Sequence, residues 1–192
     1  MFYPDNARVP DELRTGEFLV RPLRATDVEL DYDAVVSSRA GLFLHSGGSW
    51  PREGFTLEEN LADLEEHEQE HHDRIAFTYT VMNPAETECL GCLYLNPPER
   101  MLRRTGGSAE QLNDVTPHEA WVTFWVRQSR LANNLDQRLL QALIPWFQTE
   151  WAFSRVAFVA QKAQERQFRL FQEAGMRILY TLPNSLVYLP PG

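Results

Sequence analysis

The heptapeptide AWVTFWV at residues 120–126 is almost wholly apolar, rich in β-branched and aromatic side chains, and free of glycine and proline. A run of that length and make-up predicts a strand buried on both faces. Residues 135–150 follow with apolar side chains at helical spacing, and RVAFVA at 155–160 is short, apolar and strand-like again. Strand, helix and strand in that order favour a parallel pair joined by a crossover. The expected frame is a sheet with 120–126 at its centre, parallel to 155–160.

Working toward the N-terminus, 89–96 and 75–82 read as the strands of a hairpin turning about Asn83-Pro84. Thr56-x-x-Glu59 has the form of a capping box and opens a helix with Leu57, Leu61 and Leu64 on its apolar face. Residues 46–54, with Gly47, Gly48 and Pro51, form a loop. Thr26-x-x-Glu29 reads as a second capping box, followed by Val28, Tyr32 and Val35 at helical spacing, and FLVRPL at 18–23 is a short strand. Residues 1–16 are expected to be an irregular arm, interrupted by Pro4 and Pro10. Toward the C-terminus, 102–117 holds Gly106, Gly107 and Ser108 and reads as a loop. The helix predicted at 163–174 stops at Gly175, and 176–181 with 185–189 close the chain as a hairpin about Pro183-Asn184. The fold class is α/β (α+β): a mixed, mostly antiparallel sheet flanked by helices, in one domain spanning 1–192.

Composition narrows the function. The chain has 192 residues and is 43% hydrophobic, enough for a real core and unlike a disordered chain. Its formal net charge of −9 has the wrong sign for a phosphate backbone, so nucleic acid is not an expected partner; a cationic amine is weakly favoured. No apolar run reaches the roughly 18–20 residues of a membrane span. The opening MFYPDNARVPDELRTGEF carries acids and prolines where an export signal has basic and then apolar residues. With two cysteines, the expected compartment is the reducing cytoplasm.

Three pieces of the chain resemble the GNAT superfamily of acyl-CoA-dependent N-acyltransferases. LVRPLRATD at 19–27 is similar to the family's opening strand and turn, and FWVRQS at 124–129 to the central strand running into the cofactor loop. QERQFRLFQEAGM at 164–176 is similar to the last helix, N-x-x-[SA]-x-x-L-Y-E-K-x-G-F. The resemblance implies acetyl-CoA or another acyl-CoA as co-substrate and a small primary amine as acceptor. It places the cofactor against Phe124, Val126 and Arg127 on the central strand, against Ala132, Asn133, Asn134, Leu135 and Asp136 in the loop, and against Gln164 on the last helix. It implies no metal.

The family's loop, Q/R-x-x-G-x-G/A, falls on residues 131–136, where Leu131, Asn134 and Asp136 replace the polar residue and both glycines. Glycines there let backbone N–H groups approach a pyrophosphate at a helix N-terminus. Asn134-x-x-Gln137 reads instead as a self-capping helix start, and Asp136 adds a like charge in the first turn. Weak binding of acetyl-CoA is expected on both counts. Phe171 stands where the family often has a tyrosine proposed as general acid, and a phenyl ring donates no proton. A second reading therefore stands beside the enzyme: a GNAT-shaped binding or regulatory protein that does not use CoA.

Glu119, with His118 beside it, is the candidate general base. It lies on the same strand face as Trp121, the position nearest to a carboxylate frequent in the family. His67-Glu68-Gln69-Glu70-His71 matches H-E-x-x-H, but its helix is acidic and lacks a third ligand, so a solvated helix end is expected. Cys89 and Cys92 stand three apart on a strand, which should point their sulfurs to opposite faces. The aromatic residues Trp121, Trp125, Trp146, Phe147, Trp151 and Phe153 read as core.

Overall fold

The computed structural model describes residues 2–191, so the expectations for residues 1 and 192 lie outside it. Strand β5 (Glu119–Val126) is buried along almost its whole length, as its composition requires. Its partners are β4 (Cys89–Asn96), antiparallel, and β6 (Arg155–Gln161), parallel, with α6 (Leu135–Glu150) as the crossover. The sheet has eight strands in the order β1-β2-β3-β4-β5-β6-β8-β7. The remaining members are β1 (Leu13–Arg14), β2 (Leu19–Pro22), β3 (Phe77–Met82), β7 (Arg177–Thr181) and β8 (Ser185–Leu189). β5–β6 is its parallel pairing and every other neighbour is antiparallel.

Alternation along β5 divides the core. Val122, Phe124 and Val126 face a layer made by α6, by α7 (Glu165–Glu173) and by Tyr3 of the arm. Trp125 faces the opposite layer, with α1 (Val28–Ser37), α2 (Arg39–His45) and α3 (Leu57–His72). Trp121 lies with Met101 and Leu102 of α4 (Pro98–Thr105). Each large side chain buried in this way contributes roughly 1.5–3 kcal/mol.

Several local expectations are corrected. The predicted loop over 102–117 contains the end of α4 and a further helix, α5 (Ala109–Asn113). Pro98 starts α4, Gly106 ends it in the left-handed conformation, and Ser108 with Gln111 forms a capping box for α5. The Thr56–Glu59 capping box is present. The one expected at Thr26 is not, because a 3-10 turn at Ala25–Asp27 precedes α1 and no side chain caps it. The arm is irregular apart from β1, and it is pinned. The Tyr79 hydroxyl donates to Pro10 O at 2.6 Å, and Arg74 donates to the carbonyls of Pro4, Asp5 and Ala7.

The two cysteines are corrected as well. Val81 pairs with Gly91 while Met82 pairs with Cys89, so Leu90 is an extra residue bulged out of β4. The bulge resets the alternation and brings Cys89 and Cys92 to the same face, both buried in the layer under α1.

Candidate active site

β5 and β6 part company. Their pairing runs from Glu119–Arg155 to Val122–Phe158 and stops, while β6 continues to Gln161 by pairing with β8 on its other edge. The second half of β5 therefore has a partner on the β4 side only. In an antiparallel ladder, alternate residues turn their N–H and C=O groups to the same neighbour. The Arg127 N–H bonds Leu90 O of β4 at 2.6 Å, so Trp125 and Thr123 also face β4. Phe124 and Val126 then turn theirs toward the gap, where no strand meets them.

A cleft of about 550 Å³ occupies this gap, ample for an extended small-molecule chain. Phe124 and Trp125 both line it, and successive side chains point to opposite faces, so the cleft passes through the sheet. On one face it is bounded by Leu131, Asp136 of α6 and Arg166 and Arg169 of α7; on the other by Ser38, Leu44 and His45 around α2. Leu44, exposed at 45%, adds an apolar edge on the second side.

Among the residues proposed for the cofactor, Phe124, Val126, Asp136 and Gln164 line this cleft, and Asn134 lines a smaller one of about 300 Å³ between α6 and α7. Ala132 and Asn133 lie in a 3-10 segment at Gln128–Asn133 leading into α6, and Leu135 is buried in the core. Arg127 is held by Asp33 of α1 and lies 3.6 Å from Glu88.

The loop differs from its sequence reading in two ways. Asn134 does not cap α6: it has φ 53° and ψ 37°, and no side chain caps the helix start. That left-handed conformation is the one glycine adopts most cheaply, and asparagine is the best of the other residues at it. The backbone demand of the glycine position is thus met, and the N–H groups of the first turn of α6 stay uncapped. Second, Asp136 is buried and its charge is matched. Arg166 Nε and Nη2 donate to its two oxygens at 2.6 and 2.9 Å, and Nη2 also reaches Leu131 O and Asn134 Oδ1. Arg169 lines both clefts and has no ion pair among the described residues.

Glu119 lies apart from the cleft. It sits at the far end of β5, 2% exposed, and does not line the cleft. Its carboxylate accepts from Arg155 Nη2 at 2.7 Å, Trp121 Nε1 at 3.0 Å and the Thr116 N–H at 3.2 Å. Thr116 Oγ1 donates as well, at 3.3 Å, and these four donors make the carboxylate a structural clasp between β5 and β6. His118 is in the turn beside it, with φ 58°. Phe171 is fully buried against Phe124, Phe158 and Tyr188.

The residue that sequence reasoning missed is His45, the one imidazole lining the cleft among the described residues. It ends α2, a helix lying in a stretch given no element from sequence. Gln164 Oε1 accepts from the Gln161 N–H at 2.9 Å, which turns its Nε2 toward His45 Nδ1 at 3.3 Å. His45 Nδ1 is therefore the acceptor of that pair. His67 packs against Tyr94, and His71 Nδ1 donates to Thr78 O at 3.1 Å while its ring contacts Phe77 and Tyr79. Burial lowers the pKa of both.

A mixed sheet opened between two parallel strands, with a helix starting beside the opening, defines the GNAT acyltransferase fold. Solved structures agree. The ribosomal-protein-S5-alanine acetyltransferase of Vibrio fischeri matches at a TM-score of 0.68, covering 95% of this chain and 96% of its own, with 13% identity. RimL, a ribosomal L7/L12 alpha-N-protein acetyltransferase in complex with coenzyme A, matches at 0.68 over 94% and 97%, with 13% identity. A GNAT-family acetyltransferase from Bacillus anthracis matches at 0.64 over 92% and 96%, with 13% identity. No protein-family model and no curated protein sequence matches. The chain has the GNAT fold, and at these identities the fold is what is shared. No helix among the described residues is long and apolar enough to cross a membrane.

Proposed function

We propose that this protein transfers an acyl group from acyl-CoA to a primary amine. The observation that carries the proposal is the parting of β5 from β6 beyond Val122–Phe158, which leaves Phe124 and Val126 with main-chain groups aimed into a cleft through the sheet. Such an edge binds an extended amide-bearing chain as it would bind a strand. When bound, acyl-CoA supplies an activated thioester. Phe124 and Val126 orient it, and their N–H groups are the donors available to an oxyanion. Arg169 and the uncapped start of α6 offer positive potential to phosphates on one side, while Arg166 offsets the charge of Asp136. On the other side His45 Nδ1, which accepts from Gln164 here, can accept from an ammonium instead and take its proton. The amine attacks directly, and Phe171 contributes packing only.

The second reading, a binding protein without CoA, rests on Arg166 closing over Leu131 O and Asp136 at the helix start. Incubation of the full chain with acetyl-CoA and a panel of amines and N-terminal peptides, scored by release of the CoA thiol, separates the two. Amine-dependent thiol release is expected; release no faster than uncatalysed hydrolysis with every acceptor would favour the binding protein.

A further inference from the structure

The β4 bulge assembles a cluster that the acyl-transfer reading does not use. Cys92 Sγ and Cys89 Sγ lie 3.5 and 3.8 Å from Asp31 Oδ1, and one ligand atom from each residue lies within 4.8 Å of the others. All three residues are buried, and no Lys, Arg or His pairs with Asp31 among the described residues. We propose that Asp31, Cys89 and Cys92 form a buried structural zinc site, with Zn²⁺ held by two thiolates and one carboxylate oxygen.

The spacing fits the ion. Zinc binds thiolate at about 2.3 Å and carboxylate at about 2.0–2.2 Å in a tetrahedron, which sets sulfur and oxygen ligands roughly 3.5 Å apart. The Cys92 separation of 3.5 Å matches and the Cys89 separation of 3.8 Å is slightly longer, both now spanned by thiol hydrogen bonds to the carboxylate that zinc would replace. Two soft sulfurs with one hard oxygen suit zinc better than magnesium or calcium, which take oxygen sets.

The surroundings of the carboxylate are those of a ligand. Asn60, with no exposed surface, donates from Nδ2 to Asp31 Oδ2 at 3.0 Å. That bond fixes the group and leaves Oδ1 to face both sulfurs, the outer contact that ligating carboxylates commonly keep. Asn60 Oδ1 is itself a buried oxygen without a hydrogen-bond partner, an unsatisfied polar atom on the residue that holds the carboxylate. Zinc uptake releases the two thiol protons to water. The bound ion would tie α1 to β4 and, through Asn60, to α3. It would thereby brace the wall of the sheet beside Trp125, which packs in the same cluster.

The test uses the full chain, made in zinc-supplemented cells and kept reduced. About one zinc per chain is expected. Cobalt(II) in its place should give the near-ultraviolet absorption of thiolate-to-metal charge transfer. Zinc at a hundredfold excess over its dissociation constant should raise the melting temperature by roughly 5–10 °C. Binding should survive in His67→Ala/His71→Ala and be lost in Cys92→Ser. Three results would overturn the proposal: no stoichiometric metal in the reduced wild type, a cobalt complex without a sulfur signature, or equal binding by a folded Cys92→Ser. The cobalt spectrum is read on the native chain, so a variant that fails to fold does not blunt the test.

Discussion

Replacing Arg166 by methionine keeps the side-chain stem and removes the charge that answers Asp136. The Asp136 carboxylate, 3% exposed, would lose both guanidinium hydrogen bonds. Breaking a fully buried pair costs about 3–5 kcal/mol. Arg166 is 46% exposed, so water replaces part of what is lost, and the first turn of α6 still favours a negative charge there by about 0.3–1 kcal/mol. The expected net cost is about 1–2 kcal/mol, or roughly 2–8 °C in melting temperature for a chain of this length. Asp136→Asn alone should cost under about 1 kcal/mol, since a half-exposed guanidinium is easily solvated. Combining the two should give less loss than the sum, with a coupling of about 1 kcal/mol in a double-mutant cycle. Urea unfolding of the four proteins measures it. The same cycle in acetyl-CoA titrations should show Arg166→Met binding more weakly and Asp136→Asn more tightly than wild type. A coupling indistinguishable from zero, or Arg166→Met binding acetyl-CoA unchanged, would refute the assignment of Arg166 as the charge that keeps this loop open to phosphate.

His45→Ala should lower kcat for amine acetylation by about 10²-fold or more while leaving the KM for acetyl-CoA nearly unchanged, as expected for a proton acceptor on the amine side; steady-state kinetics on any accepted amine checks this. Gly91→Ala should destabilise by about 1–3 kcal/mol in urea, because a Cβ there would meet Trp125 O at 2.1 Å and force β4 from β5. Burial lowers the His67 and His71 pKa values from 6.5, so both rings stay neutral in the fold when the unfolded chain protonates. Stability should therefore be full above about pH 6.5 and fall as pH drops below it. The urea midpoint at pH 5.5 against pH 7.5 reads the fall, which His71→Gln should reduce.

The frame was legible because it is written in local patterns. The unbroken apolar run at 120–126, the spacing within 135–150 and the Thr56–Glu59 box each fix an element by themselves, and their order fixes the parallel crossover. For the cleft, the sequence places the strand that carries Phe124 and Val126, while which of its residues turn toward the gap is read from the Arg127 N–H bond to Leu90 O. Side-chain roles depend on contacts distant in sequence. Nothing near Asp136 announces that Arg166, thirty positions on, neutralises it. Nothing near Glu119 announces the clasp with Arg155. The spacing of Cys89 and Cys92 pointed the wrong way because one bulged residue, Leu90, inverts the alternation. His45 carried no signal beyond being a histidine before a glycine-rich loop.

Amide hydrogen exchange, resolved by residue, tests the central claim most directly. In the free protein the Phe124 and Val126 N–H groups, which face the gap, should exchange faster than those of Thr123 and Trp125, which face β4. Saturating acetyl-CoA should slow Phe124 and Val126 by at least roughly tenfold, the equivalent of about 1.4 kcal/mol of protection, and leave the β4-facing pair little changed. If acetyl-CoA at millimolar concentration leaves both amides exchanging as in the free protein, the cleft between β5 and β6 does not hold the cofactor, and the acyltransferase reading falls with it.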